Sequence, residues 1–401
     1  MNINAMRNID FYVGVPLCFL ITCVETVLRV FRSDRLPKPE RVLFIELSEM
    51  GSAVLADPSM RRAQTLGCEI YFLIFKRNKA SLRLLKTVKD DNIFVLRDQS
   101  MFFLLWDSLR FVYWCRKKRI DSCIDLELFS RVTALLTWAT FAGNRVGFHR
   151  FHQEGLYRGE FFTHRVPYNA HVHIAHNFMN LVESLVGGGL GLEEFLKRKL
   201  APEDLKVAKA TISNKMRENV QLKIQEKCPG WHAGKPLLLI NANAGDFLPQ
   251  RKWPKESFVS LIRLFLDSKE DLFILLTGSP QEKEANHWIV STVRHPRCID
   301  FSGGVEFDEL PTLYSLSRVL ITNDSGPGHF SSVTDIRSYI FFGPETPNLY
   351  GSLGNSSAFY SQMSCSPCVS ATNHRKTKCT DNQCLKVISP SQVFSEVSKS
   401  L

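Results

Sequence analysis

Residues 319–347 read VLITNDSGPGHFSSVTDIRSYIFFGPETP, and this stretch limits the fold more than any other. Val319, Leu320 and Ile321 form an apolar run expected as a buried strand. Asn323, Asp324, Ser325 and Gly326 break it, and a helix is expected from His329 with Ser325 as its N-cap. A second apolar run, Tyr339 to Phe342, stops at Gly343-Pro344. Strand, glycine-rich turn, helix and strand form one unit of a parallel α/β sheet. Such a turn aims backbone N–H groups and the positive end of a helix dipole at one spot, which suits a phosphate. An ordinary capped turn without a ligand is the competing reading. Asp324 falls at the carboxyl end of the strand, where open α/β sheets take their ligands.

The same alternation runs through most of the chain. Strands are expected at Arg41–Leu47, Ile70–Phe75, Ile93–Leu96, Ser122–Leu126 and Arg145–Phe148. Helices are expected between them at Ala53–Arg62, Ala80–Thr87, Met101–Arg116 and Ser130–Phe141. A helix at Ala175–Leu185 follows, then a glycine-rich hinge candidate at Gly187–Leu192. Further strands are expected at Pro236–Ile240 and Asp271–Thr277, with helices at Ser257–Leu266, Leu310–Ser317 and, near Ser389-Pro390, a closing helix. The 401 residues suit two domains rather than one core. Neither GxGxxG nor GxxxxGK[ST] occurs, so the usual dinucleotide and NTPase readings lack support.

Net charge is +10, which favours an anionic partner. The excess is scattered in short clusters, so nucleic acid is not among the expected partners. Eleven dilute cysteines suggest a reducing compartment. Near the amino terminus, Phe11 to Val24 is apolar and uncharged but shorter than the roughly 20 residues that span a bilayer. Thr22, Glu25, Thr26 and Arg29 make a narrow polar stripe on this helix, and Arg32, Arg35 and Lys38 follow. The expectation is an interfacial helix on the inner leaflet, at the cytoplasmic face of the inner membrane, without a removable signal peptide. A helix packed on the protein's own surface is the alternative.

Asn323-Asp324-Ser325-Gly326-Pro327-Gly328-His329, followed by Phe342-Gly343-Pro344-Glu345-Thr346, resembles the donor-nucleotide motif of the heptosyltransferase family, glycosyltransferase family 9. The resemblance extends thinly from about Arg41 to the carboxyl terminus. It implies an α/β protein of GT-B fold, two Rossmann-like doubly wound parallel-sheet domains facing across a cleft. It also implies transfer of a sugar, typically heptose, from an ADP-sugar to a lipopolysaccharide-type glycolipid. The expected organisation is a membrane-associated helix and linker at 1–38, an acceptor domain at 39–200, an interdomain segment at 201–234 and a nucleotide-sugar domain at 235–401.

The resemblance assigns donor binding to Lys252 before Trp253-Pro254, to Glu282 in a Gly-Ser-Pro-Gln-Glu turn, and to Asp324, Ser325, Gly326 and His329. A loop carrying Arg251 and Lys252 between a strand end and a helix start also suits a diphosphate on charge alone. At the first turn the family has a Gly followed by an Asp proposed as catalytic base, whereas here Gly51 is followed by Ser52. A hydroxyl cannot replace a carboxylate as base. Glu127 and Glu49 are the leading substitutes; Asp125 shares a strand end with Glu127, and Glu46 and Asp57 lie near. Solvated or helix-capping carboxylates are the bland reading of each.

A segment from His149 to His176 is rich in His and Arg with aromatics interleaved. It reads as a loop that receives a phosphorylated acceptor through Arg150, Arg158, His164 and Arg165, joined by Ser52 and Arg131 from elsewhere in the chain, as a metal site through His171-x-His173, or as an exposed basic loop. Cys365-x-x-Cys368 with Cys379 and Cys384 allows a structural zinc, four reduced thiols, or disulfides. No cofactor is expected to be required for catalysis. Two other classes compete with the transferase: a membrane-attached saccharide binder that has lost catalysis, motivated by Ser52, and a metal-dependent regulator using the cysteines.

Overall fold

The computed structural model describes residues 3–30, 36–150, 155–187, 199–245, 248–373 and 375–401. The hinge candidate beyond Gly187, together with Arg32, Arg35, His152 and His374, lies outside these residues. The chain divides into two compact units, Met1–Lys206 and Val207–Leu401.

In the first unit six strands form one parallel sheet: β1 (Arg41–Ile45), β2 (Glu69–Phe75), β3 (Ile93–Leu96), β4 (Ser122–Asp125), β5 (Asn144–His149) and β6 (His164–Pro167). Their order is β3-β2-β1-β4-β5-β6. Helices α1 (Ile3–Tyr12), α2 (Gly14–Arg29), α3 (Met50–Leu55), α4 (Asp57–Thr65), α5 (Ala80–Leu85), α6 (Met101–Lys118), α7 (Arg131–Ala139) and α8 (Ile174–Gly187) accompany it. β6 lies inside the His- and Arg-rich segment expected as a loop, so part of that segment is sheet. Alternation explains it: His164 and Val166 are buried while Arg165 and Pro167 keep some exposure, an edge pattern that charge content masked. The single helix expected at Ala53–Arg62 is two, α3 and α4.

The second unit repeats the plan with β7 (Leu237–Asn241), β8 (Phe273–Leu276), β9 (Cys298–Asp300), β10 (Val319–Asn323), β11 (Arg337–Phe342) and β12 (Ser356–Tyr360), ordered β12-β11-β10-β7-β8-β9. Its helices are α9 (Asn214–Lys227), α10 (Lys255–Ser268), α11 (Lys283–Val293), α12 (Leu310–Ser315), α13 (Gly326–Phe330), α14 (Pro347–Tyr350), α15 (Gln383–Lys386) and α16 (Pro390–Val397). Both sheets are entirely parallel and are covered on two faces, so their central strands are continuous apolar runs. In each sheet the strand order reverses beside the first strand, between β1 and β4 and between β7 and β10. Crevices at the carboxyl ends of such switch points are where doubly wound sheets bind ligands.

The amino-terminal helices invert the usual amphipathic arrangement. Glu25 is buried, with Oε1 2.6 Å from Arg145 Nη2 and Oε2 accepting from Trp138 Nε1 at 3.1 Å. Thr22 Oγ1 accepts from Glu160 N at 2.9 Å. The Asp10 carboxylate takes the N–H groups of Arg131 and Val132 at 2.7 and 3.0 Å, at the start of α7. Gly14 permits the close approach, since a Cβ there would stand 2.6 Å from Arg131 Cβ. Thr22 and Glu25 of the polar stripe therefore face protein, while Thr26 is exposed. Phe19, Leu20, Val24 and Val27 are 50–61% exposed.

Candidate functional site

The turn after β1 and the turn after β4 meet at the switch point of the first sheet, where Ile45 pairs with Asp125. Glu127 Oε1 accepts the N–H groups of Leu47 and Ser48 at 2.8 and 2.7 Å. Glu46 Oε1 accepts from Ser48 N at 3.1 Å, Ser48 Oγ at 2.9 Å and Glu49 N at 3.3 Å. Burial pushes the Glu46 carboxyl well above the usual carboxylate range, and the charge of Glu127 adds to it. Burial also raises Glu127, whose N–H partners pull partly the other way. The charge of the buried Asp125 adds to the rise at Glu127. Glu49 stands at the N-cap position of α3, and Ser52 lies half-buried within that helix.

The neighbouring groups are structural. Asp125 and Arg158 are fully buried and joined by an ion pair. The Arg158 guanidinium also donates to the carbonyls of Ser130, Glu127 and Phe148 and to Thr133 Oγ1, so it holds the Glu127 turn in place. This corrects the reading of Asp125 as a base and of Arg158 as an acceptor ligand: neither side chain reaches the surface. Arg131 is 3% exposed and is held by Asp10 and by the Tyr157 carbonyl. His164 is 1% exposed and burial lowers its pKa to about 4, so its ring is neutral and unsuited to a phosphate. Of the six residues expected to bind the acceptor, Arg150, Arg165 and Ser52 retain exposure. Arg165 Nη1 and His149 Nε2 lie 2.7 and 3.1 Å from Glu160 Oε2, and Arg150 Nη2 lies 3.7 Å from its Oε1.

The switch point of the second sheet is stitched by one side chain. Asn323, at the end of β10, accepts from Trp253 N at 2.9 Å and donates to the Ala242 carbonyl at 2.9 Å. It thereby ties the loop after β7, which carries Lys252, to the turn that begins at Asp324. Trp253 is buried and stacks on Phe341 of β11 with ring centroids 4.4 Å apart. Filling this floor with two aromatic side chains stabilises it by roughly 1.5–3 kcal/mol each. Arg251 Nη1 lies 4.0 Å from both Asp324 Oδ2 and Glu345 Oε2. Glu345 is itself held bidentately by Arg375 at 2.5 and 2.7 Å.

Ser325 occupies the N-cap position of α13 without a side-chain cap; its Oγ instead donates to the Asn323 carbonyl at 3.2 Å. The helix starts at Gly326, earlier than expected, and has five residues, so any anion there would be met by local N–H groups rather than a long dipole. A Cβ on Gly328 would stand 2.9 Å from Ile340 Cδ1, so glycine lets this turn pack closely on β11 without moving that side chain. His329 is buried beside it. Glu282 follows β8 and accepts from Ser279 N at 2.7 Å in a capping box. Asn323, Glu345 and Arg375 were not among the expected site residues. The first two stand in the motif, but only the fold shows what they touch, and Arg375 lies 30 residues from its partner.

The four carboxyl-terminal cysteines are free. Burial, then the neighbouring thiols of Cys368, Cys365 and Cys379, raise the pKa of Cys384, so the four lie near one another. They do not converge: Cys379 Sγ faces the Asp381 carbonyl at 3.1 Å, and among the described residues no group of three or more His, Cys, Asp or Glu is arranged to hold a metal ion. The zinc reading of Cys365, Cys368, Cys379 and Cys384 is corrected accordingly.

Two tandem Rossmann-like units, each with polar turns at its switch point, define the class: an α/β protein of the GT-B fold. The family model for glycosyltransferase family 9 (heptosyltransferase) matches residues 110–378, about two thirds of the chain, and the chain belongs to that family. It is 26% identical over 106 residues to lipopolysaccharide heptosyltransferase 2 of Escherichia coli (strain K12), covering 26% of this chain and 30% of that protein. It is 25% identical over 169 residues to lipooligosaccharide heptosyltransferase 2 of Campylobacter jejuni subsp. jejuni serotype O:6, covering 41% of this chain and 52% of that one. The chain thus spans between about a third and a half of the curated relatives it matches. Among solved structures, the E. coli ADP-heptose lps heptosyltransferase II superposes with a TM-score of 0.66 at 16% identity, covering 90% of this chain and 98% of that one. A glycosyl transferase of family 9 from Veillonella parvula gives 0.66 at 18% identity, covering 92% and 99%. At such identities the likeness speaks for the fold.

Proposed function

We propose that the protein transfers a sugar, heptose as the first choice, from a nucleoside-diphosphate sugar to a hydroxyl of a lipopolysaccharide-type glycolipid. The observation that carries this reading is the junction at the second switch point. There Asn323 binds the Lys252 loop and the Asp324 turn together, so a cation and a glycine-rich bend share one strand-end crevice. A diphosphate leaving group would be stabilised there electrostatically, by the Lys252 ammonium and by backbone N–H groups.

In the transfer, the acceptor hydroxyl oxygen forms a bond to the anomeric carbon as the bond from that carbon to the diphosphate oxygen breaks. The hydroxyl proton passes to a carboxylate of the first unit. Glu127 is the preferred base. It is partly exposed, burial raises its pKa, and its carboxylate is oriented by two N–H groups. The site therefore keeps carboxylates although Ser52 stands where the family has Asp. Arg150 and Arg165 are the remaining candidates for acceptor phosphate. The inverted α1–α2 pair supports a peripheral position on the inner leaflet: Thr22 and Glu25 of the polar stripe are committed to the protein, and an apolar face is outward. Ala5–Leu28 is long and apolar enough to cross a bilayer by length and composition. Spanning would strip Glu25 and Asp10 from their partners, which favours the in-plane reading.

The purified chain should be incubated with ADP- and UDP-sugars and with heptose-deficient lipopolysaccharide core, and the products analysed by mass spectrometry. A mass increase of one heptosyl unit on the acceptor is expected. Nucleotide binding without transfer or donor hydrolysis across the panel would defeat the assignment.

A further inference from the structure

Helix α6 repeats the inversion seen in α2, although it is 70 residues further along the chain. Its inward side carries Asp107, 2% exposed, which takes Arg97 Nε at 2.8 Å and Nη2 at 2.7 Å, and Phe111, which is fully buried. Its outward side presents Phe102, Leu105, Trp106, Leu109 and Tyr113, which are 52–71% exposed. Their spacing of i, i+3, i+4, i+7 and i+11 places all five on one stripe. An ordinary surface helix would carry charges there. The cations stand at the end and flank of the stripe instead: Arg116, Lys117 and Arg119 follow it, and Arg110 is exposed beside it.

The two inverted helices belong to one surface of the first unit. Arg116 lies over the Phe141 ring at 5.1 Å, and Phe141, just past α7, is 52% exposed. Phe141 packs against Trp138 with centroids 5.9 Å apart, and Trp138 in turn donates to Glu25 of α2. Met6 of α1 packs on the same core cluster, around Phe111 and Cys115, as Leu104 and Trp114 of α6. α7 and Phe141 thus form a bridge between two outward apolar stripes.

We propose that α6 is a second membrane-contacting element, so that the first unit lies face-on against an anionic phospholipid bilayer through α6 and α2 together. This rests on the membrane reading of α1–α2 given above. A bilayer surface fits both halves of the chemistry. The Phe, Leu and Trp side chains enter the acyl boundary, Tyr113 sits at headgroup level, and the Arg and Lys groups meet lipid phosphates. Aromatic and aliphatic side chains grouped with cations at one end suit a headgroup boundary better than a protein interface core, which is depleted of charge.

The test is binding of the full chain to vesicles of equal phosphatidylglycerol and phosphatidylcholine, and to phosphatidylcholine alone, measured by flotation. Two variants are compared, Phe102→Ser/Leu105→Ser/Leu109→Ser in α6 and Phe19→Ser/Leu20→Ser/Val27→Ser in α2. All six positions are exposed, so thermal midpoints should stay near that of the parent chain. Each variant is expected to lose about 10-fold or more in partitioning to the anionic vesicles. Parent-like binding of the α6 variant alongside loss in the α2 variant would overturn the α6 proposal and leave the α1–α2 reading standing. Absence of parent binding to either vesicle would remove both. A parent chain that self-associates, with an α6 variant that becomes monomeric yet still floats, would make the stripe a contact between copies and overturn the proposal.

Discussion

Glu46 and Glu127 accept the same backbone N–H, that of Ser48, at 3.1 and 2.7 Å. Both carboxyls are raised, so as pH falls each takes a proton earlier than an ordinary carboxylate does. A base must be deprotonated to act. The acid limb of kcat against pH should therefore lie above the usual carboxylate range near 4.3. Glu127→Gln should lower kcat by roughly 10²–10⁴-fold and flatten that limb. Glu46→Gln should bring a smaller loss, because Glu127 keeps the N–H groups of Leu47 and Ser48. Full activity in Glu127→Gln would take the base role from this residue.

The Asp125–Arg158 pair is predicted to be a matter of folding. Asp125→Asn leaves a fully buried guanidinium without its counter-charge, at a cost of about 3–5 kcal/mol. Urea unfolding of Asp125→Asn and Arg158→Gln should give lower midpoints for both. In a double variant the second change should cost much less than it does alone. Additive losses would mean that the two side chains act separately.

At the proposed donor end, Asn323→Ala removes an acceptor for Trp253 N–H and a donor to Ala242. Each bond lost in a buried place costs about 1–3 kcal/mol. Because both bonds hold the Lys252 loop, ADP affinity measured by titration calorimetry should fall about 10-fold or more, while vesicle binding is unchanged. Unaltered ADP affinity would show that the stitch has no part in binding nucleotide.

His164 gives a pH signature in stability. Its folded pKa, about 4, is below its unfolded value near 6.5, so the unfolded chain binds the proton first. Stability contributed by the neutral ring is complete above pH 6.5 and is lost as pH falls towards 4, by at most about 1.4 kcal/mol per pH unit. The raised carboxylates act in the opposite sense, so the comparison must be between the parent and His164→Gln. The difference in unfolding free energy between pH 7.5 and pH 5 should be smaller in the variant. An equal difference in both would exclude His164 as the source.

Much of this architecture could be read from the order of residues. Continuous runs such as RVLFI and VLITN mark strands buried on both faces, and the motif from Asn323 to His329 marks the end proposed for the donor. What pattern could not reveal was direction. Arg158, Arg131 and His164 look like cations for an acceptor, yet they are buried among partners between 10 and 121 residues away or, for His164, inside an edge strand. Thr22 and Glu25 form a stripe whose orientation depends on Arg145 and Trp138, far along the chain. β6 was hidden because its alternation is written in His and Arg rather than in aliphatic residues.

The carboxylate of Asp10 sits on the first N–H groups of the helix that begins four residues after Glu127. Trimming the opening dozen residues to obtain a better-behaved soluble preparation would therefore take away more than greasy surface. It would leave the start of that helix, and with it the backbone that aims the proposed base, to rearrange. A shortened preparation found inactive would accordingly say little about whether the intact chain is an enzyme.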